Sequence, residues 1–206
     1  MAQKILIVLI FLFLAAVSAG AQIQTGQPDN HEKKLLLDYA RQSIVKKLSG
    51  QIFTPSLPKN SRLCELRKPV FVTLEKDGKV RGCRGALEPA GKNIAEEVCI
   101  MAIAAALGDK RFPPLTKPGL KKSRISITIV SELIPYSGGN IPKEDGIIYK
   151  KDGTAGIVLP YEGSDTFTRI RWAYIKAGIT PPDRPENIKN QDLYIMKAER
   201  FADGDL

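Results

Sequence analysis

The most restrictive stretch of the chain runs from Pro69 to Gly85. Pro69-Val70-Phe71-Val72-Thr73-Leu74-Glu75 is rich in β-branched and aromatic side chains and reads as a strand. Asp77-Gly78 follows, the pair that two-residue hairpin turns prefer because both positions need positive φ. The returning strand is Lys79-Val80-Arg81-Gly82-Cys83-Arg84-Gly85. A regular two-residue turn sets Glu75 opposite Val80, Leu74 opposite Arg81, Thr73 opposite Gly82 and Val72 opposite Cys83. Cys83 and Arg81 then share a side with Val72 and Leu74, and a slip of one residue would turn Cys83 to the other side. A strand built only for stability would not place a cysteine between two arginines and two glycines.

Other strand signals agree with a sheet. Arg124 to Glu132 alternates, with Ile125, Ile127 and Ile129 on one covered face. Gly146 to Lys150 and Thr154 to Leu159 flank Asp152-Gly153, a second hairpin turn. Asp192 to Phe201 is expected to close the sheet as a last strand.

Three helices are expected. The first is capped by Asp29 with Glu32, carries Leu36, Tyr39, Ala40, Ile44, Val45 and Leu48, and stops at Gly50. The second is capped by Asn93 with Glu96, buries Ile94, Val98, Met101, Ala102 and Ala105, and stops at Gly108. The third is capped by Asp165, carries Ile170, Trp172 or Ala173, and Ala177, and stops at Gly178, with Trp172 read as a packing anchor rather than a ligand platform. The proline-bearing stretches 51–61, 135–142 and 180–190 read as loops, and no linker divides the mature chain into two domains.

The N-terminus follows a different rule. A short basic start at Lys4 precedes the unbroken apolar run Ile5 to Val17, then small residues with Ala19 and Ala21 in an A-x-A pattern. That is the form of a secretory signal peptide over 1–21, and the apolar run is short for a membrane span. A polar, flexible segment 22–28 and one domain over 29–206 follow. The expected location is therefore the periplasm or the medium, with a membrane anchor by an uncleaved signal as the alternative. Loss of Lys4 takes the formal charge from +9 to +8. The basic residues are scattered and do not alternate with aromatics as in a nucleic-acid groove. His31 is the only histidine, which excludes a metal site or nucleophile couple built on several histidines. No metal site is expected. Cys64, Cys83 and Cys99 leave room for one disulfide and one free thiol. Cys64 reads as a half-buried structural thiol and Cys99 as a buried, inert one.

Arg81 and Arg84 flank Cys83, and nearby positive charge lowers a thiol's pKa. The positive end of the helix starting near Asn93 would add to that. Gly82 and Gly85 clear space beside the sulfur, and the arginines suit a carboxylate or phosphate. The competing structural reading has the glycines serving a bulge and Cys83 packing on Val72. No general base adjoins Cys83 in sequence; Glu88 or Asp109 would serve only if the fold brings it near. Asp109-Lys110-Arg111-Phe112-Pro113-Pro114-Leu115 is a stiff segment after the second helix, either a connector with Asp109 paired to Arg111 or a part of the site.

These segments resemble the AMMECR family, the A component of AmmeMemoRadiSam systems. Arg81-Gly82-Cys83-Arg84-Gly85 is similar to its Leu-Arg-Gly-Cys-Ile-Gly signature, and Asp109 to Leu115 to its Asp-x-Arg-Phe-x-x-Leu segment. Phe71 to Leu74, Ala104 to Ala106, Ile127 to Glu132, Gly156 to Pro160, Lys176 to Ile179 and Leu193 to Phe201 follow in the family's order. The resemblance implies an α+β fold: a mixed, mainly antiparallel sheet flanked by helices, with a large and a small lobe. It places Arg81, Gly82, Cys83, Gly85, Asp109 and Arg111 around one pocket. Arg84 stands where the family usually has isoleucine, and tilts that pocket toward an anionic ligand. The expected site therefore has Cys83 as nucleophile or ligand-binding thiol and Arg81, Gly82, Arg84, Gly85, Asp109 and Arg111 as ligand-binding residues. The alternative is a non-enzymatic binding or partner-interaction module. Neither residues nor resemblance supplies a reaction or a cofactor. The partner is a small anionic ligand or a protein. The resemblance points to Memo-type and radical-SAM proteins, and export argues against nucleic acid.

Overall fold

The computed structural model describes residues 26–206. The expected signal peptide and most of the segment 22–28 lie outside them. Within that segment, Pro28 is buried and Arg62 donates to the Gln27 carbonyl.

Four helices and six strands follow: α1 (Asn30–Lys47), β1 (Val70–Lys76), β2 (Lys79–Gly85), α2 (Ile94–Leu107), α3 (Lys117–Lys121), β3 (Arg124–Pro135), β4 (Gly146–Lys151), β5 (Thr154–Val158), α4 (Thr166–Lys176) and β6 (Leu193–Ala202). The strands form one sheet of order β2-β1-β3-β6-β4-β5, and every neighbouring pair is antiparallel. The last strand in sequence thus sits in the middle of the sheet, joining the two hairpins. The expected α+β class is borne out.

Local sequence accounts for most of these boundaries. Asp29 and Glu32 form the reciprocal capping box of α1. At α2 half of that device forms: Asn93 accepts from the Glu96 N–H, while Glu96 turns to the Lys92 N–H. Both hairpin turns have positive φ at both central residues, Asp77 and Gly78, then Asp152 and Gly153. The short α3, capped by Thr116, was not foreseen because five residues are too few to carry a periodic signal.

Two cores lie along the sheet. α1 and α2 cover β1 and β3, with Leu36, Ile44, Val72, Leu74, Ile94, Ile125 and Ile127 fully buried between them. The smaller core packs α4 on β4 and β5 through Ile147, Val158, Ile170 and Ala173. These are the two lobes. On the opposite face, Phe71, Val130, Ile148, Leu159 and Met196 form a third cluster, against which Cys83 from β2 and Ile157 from β5 both pack. The outermost strands therefore meet over one surface, so the sheet is curled.

This curl corrects the reading of β3. Ser126, Thr128 and Val130 are buried as well as the isoleucines, so both faces of its first half are covered. Trp172 is also corrected. It is 41% exposed on the outer side of α4, while Ile170 and Ala173 take the inner side. Cys64 is exposed rather than half-buried, and Cys99 is buried as expected. Among the described residues, no helix is long and apolar enough to cross a membrane.

Candidate functional site

The β1–β2 hairpin departs from the expected register by one residue, and this decides where the thiol goes. Glu75 does face Val80, but Leu74 faces Gly82 and Thr73 faces Cys83. Arg81 is the extra residue of a β-bulge between those pairs. The cause lies in α2. A Cβ at Gly82 would stand 2.2 Å from the Ala105 carbonyl oxygen. Only glycine fits on the helix side there, and the bulge brings Gly82 to it in place of Arg81. Cys83 then turns to the side of Thr73 and Phe71, away from Val72 and Leu74. The Thr73 hydroxyl donates to its sulfur across 3.2 Å.

Cys83 looks into a cleft of about 280 Å3 between the edges of the curled sheet. β1 and β2 contribute Phe71, Val80, Cys83, Arg84 and Gly85. Arg111 and Phe112 come from the segment after α2, Ile157 from β5, and Leu159, Glu162 and Lys176 from the β5–α4 connection and α4. Gly85 is required here, since a Cβ would stand 2.1 Å from the Phe71 ring that crosses it. A larger hollow of about 450 Å3 at the start of α4 carries one charged side chain, Glu186, and no thiol.

Of the residues expected at the site, Cys83, Arg84, Gly85 and Arg111 line the cleft together. Asp109 lies behind them, 5% exposed. Its carboxylate accepts from the Cys83 N–H at 2.9 Å, the Arg111 N–H at 3.2 Å, Arg111 Nε at 3.0 Å and Arg111 Nη2 at 2.7 Å. Asp109 thus pairs with Arg111, and Arg111 and Phe112 of the same segment line the cleft. The fork holds the Asp109 carboxyl well below the usual carboxylate range, Arg111 being the largest cause and the backbone N–H groups adding to it. A saturated, strongly ionised carboxylate is no general base, and Glu88 does not line the cleft. Gly82 faces α2. Arg81 also points elsewhere: it donates to the Pro113 carbonyl and lies 5.6 Å from the Phe112 ring centre, with Arg111 at 5.5 Å from the same ring.

The expected activation of the thiol meets an opposing arrangement. The end of α2 that adjoins β2 is its C-terminal, negative end: Ala105 abuts Gly82, and Arg84 donates to the Gly108 carbonyl at 2.8 Å. Burial pushes the Cys83 thiol up, and Glu162 adds to this; the Thr73 hydrogen bond, Arg111 and Lys176 pull it down by less. All three thiols are free. Cys64 lies by the start of α2, where the Leu66 carbonyl accepts from Ile94, whereas Cys83 lies by its end. The helix between them separates the pair well beyond disulfide reach, which is about 7 Å between Cα atoms.

Sequence reasoning missed Phe71, Val80, Ile157, Leu159, Glu162 and Lys176 as site residues. Gly156 to Pro160 and Lys176 to Ile179 stood in the family order and offered a faint pointer. Glu162 had none.

Fold and cleft together define the class: an α+β domain with a curled antiparallel sheet, two cores, and a thiol- and arginine-bearing cleft between the sheet's edges. The AMMECR1 family model matches residues 37–201. A protein of Thermotoga maritima is 36% identical over 157 residues, covering 74% of this chain and 87% of its own. A protein of Methanopyrus kandleri is 32% identical over 191 residues, covering 84% and 88%. The crystal structure of an uncharacterized protein from Pyrococcus horikoshii shares the fold with a TM-score of 0.73 at 23% identity, over 85% of this chain and 93% of that one. The chain belongs to the AMMECR1 family.

Proposed function

We propose that the domain binds a small ligand with an anionic group and an apolar body, and that Cys83 meets it as a protonated, ligand-facing thiol. One observation carries this reading: Cys83, Arg84, Arg111 and Lys176 share a cleft whose remaining wall is mostly Phe71, Phe112, Ile157 and Leu159. Its volume of about 280 Å3 falls just below the usual range for ligand sites, which fits a small ligand. Asp109 orients the Arg111 guanidinium through Nε and Nη2, which leaves Nη1 free to donate. A guanidinium held in this way loses little freedom when it grips a carboxylate or phosphate. Burial favours the neutral thiol, so near neutral pH Cys83 is a soft contact and weak donor rather than a thiolate.

The second reading is a nucleophilic Cys83. It rests on Arg111 and Lys176, whose charges favour the thiolate. The pH profile of Cys83 alkylation by iodoacetamide, measured in a Cys64→Ser background, separates the two. A binding thiol titrates above the ordinary cysteine value of about 8.5. A midpoint below neutrality would overturn the binding reading in favour of the nucleophile.

A further inference from the structure

Two ion pairs of different character adjoin the cleft. In the first, Asp109 is buried and accepts four donors, three of them from Arg111. In the second, Glu162 meets Lys176 through one contact of 2.6 Å, with side chains 30% and 37% exposed. Glu162 sits in the tight β5–α4 loop, between Tyr161 and Gly163, both at positive φ, and its carboxylate also accepts from the Leu159 N–H at 3.2 Å. Among the described residues it is also the one carboxylate lining a cleft that three cations line, Arg84, Arg111 and Lys176. Single-contact exposed pairs of this kind are weak and exchange readily. An anion entering beside Arg111 meets Glu162 as the charge that repels it and Lys176 as the charge that attracts it.

We propose that Glu162 is an internal stand-in for the ligand's anionic group: it pairs with Lys176, and the ligand's carboxylate displaces it to bridge Lys176 and Arg111. The proposal rests on the anion-binding reading above. It makes Lys176 the second anion contact and Glu162 the residue that sets how strongly an anion must bind to enter. The ligand then joins the two lobes, because Arg111 stands at the end of α2 and Lys176 at the end of α4. Its class is a small carboxylate with an apolar body that meets Phe71, Phe112, Ile157 and Leu159.

The test uses Cys83 as its own reporter, in a Cys64→Ser background. Dithiobis(nitrobenzoate) carries a carboxylate on each aromatic ring, and dithiodipyridine is uncharged. In both reactions the Cys83 thiolate attacks the reagent's disulfide, a protein–reagent mixed disulfide forms, and one aromatic thiolate leaves. The ratio of the two rates cancels any change in the thiolate population and reports recognition of the carboxylate alone. Glu162→Gln keeps the acceptor for the Leu159 N–H and is expected to raise the ratio about five- to tenfold, as loss of a like charge at a few ångströms implies. Lys176→Met and Arg111→Met are expected to lower it by a similar factor. If Glu162→Gln leaves the ratio unchanged while Arg111→Met lowers it, the stand-in role is overturned and the anion site stands. If none of the three variants moves it, both fall. Circular dichroism of each variant confirms that the rates compare folded proteins.

Discussion

Asp109 accepts four donors with two oxygens, and one of those donors is the backbone of the residue that carries the thiol. It therefore fixes Arg111 and the β2 edge at once. Asparagine has nearly the same shape but presents an NH2 group to N–H donors, so at least one buried donor loses its partner. Asp109→Asn should cost about 2 kcal/mol near neutral pH, read as a lower urea midpoint. The pH dependence has a definite sign. The folded carboxyl is held below its unfolded value, chiefly by Arg111. Its stabilisation is present above the unfolded pKa of about 4 and is lost as pH falls toward the folded one. The gap between parent and variant should therefore narrow between about pH 4 and pH 2; a gap that stays constant would show that Asp109 acts through shape alone. At this scale much of the site was legible. Cys83, Arg84, Gly85, Asp109 and Arg111 announce themselves as residue types a plain strand or connector does not use. Arg81 carried the same signal but points to Pro113, because residue type does not say which way a side chain turns.

The direction of those side chains is set by an element, the bulged strand β2. Regular hairpin geometry puts Arg81 opposite Leu74, with its side chain toward α2, where even one carbon would stand 2.2 Å from a carbonyl oxygen. The strand avoids this by admitting one extra residue. A bulge of this kind cannot be read from the hairpin alone, since the obstacle is the close approach of a helix that follows it in sequence. The same geometry separates two deletions of equal length. Removing Arg81 leaves Gly82 opposite Leu74 and Cys83 opposite Thr73, as now, and loses the contact to Pro113. Removing Gly82 also keeps Cys83 opposite Thr73, but drives Arg81 against Ala105. The Arg81 deletion should fold with a loss of about 1–2 kcal/mol and an unaltered Cys83 alkylation profile. The Gly82 deletion should lose cooperative unfolding or fall several kcal/mol below it. Equal stability of the two would refute the bulge as the device that aims the thiol.

The cleft belongs to neither lobe. Its thiol side is built on β2 and its far side on β5 and α4, which lie at opposite ends of the strand order and come together because the sheet curls. The hairpin turns, the helix caps and the existence of β3 as a strand were legible because each depends on residues close in sequence. The central place of β6 and the approach of the two sheet edges were not, because each depends on pairing between distant segments. The far wall depends on how closely α4 lies on β5. A Cβ at Gly156 would stand 1.8 Å from the Ala173 carbonyl oxygen and 2.5 Å from the Ala177 nitrogen, so Gly156→Ala must push α4 outward, and Lys176 with it. Overpacking against backbone costs about 1–3 kcal/mol. It should also open the cleft, so that iodoacetamide reaches Cys83 severalfold faster at fixed pH. Gly153→Ala is the matched control. Its backbone is left-handed at φ +76°, and nothing stands within 4 Å of the added carbon. It should cost about 1 kcal/mol in backbone conformation while leaving the Cys83 rate alone. If both variants label at the parental rate, α4 does not form the far wall of the cleft, and Lys176 and Glu162 lose their place in it.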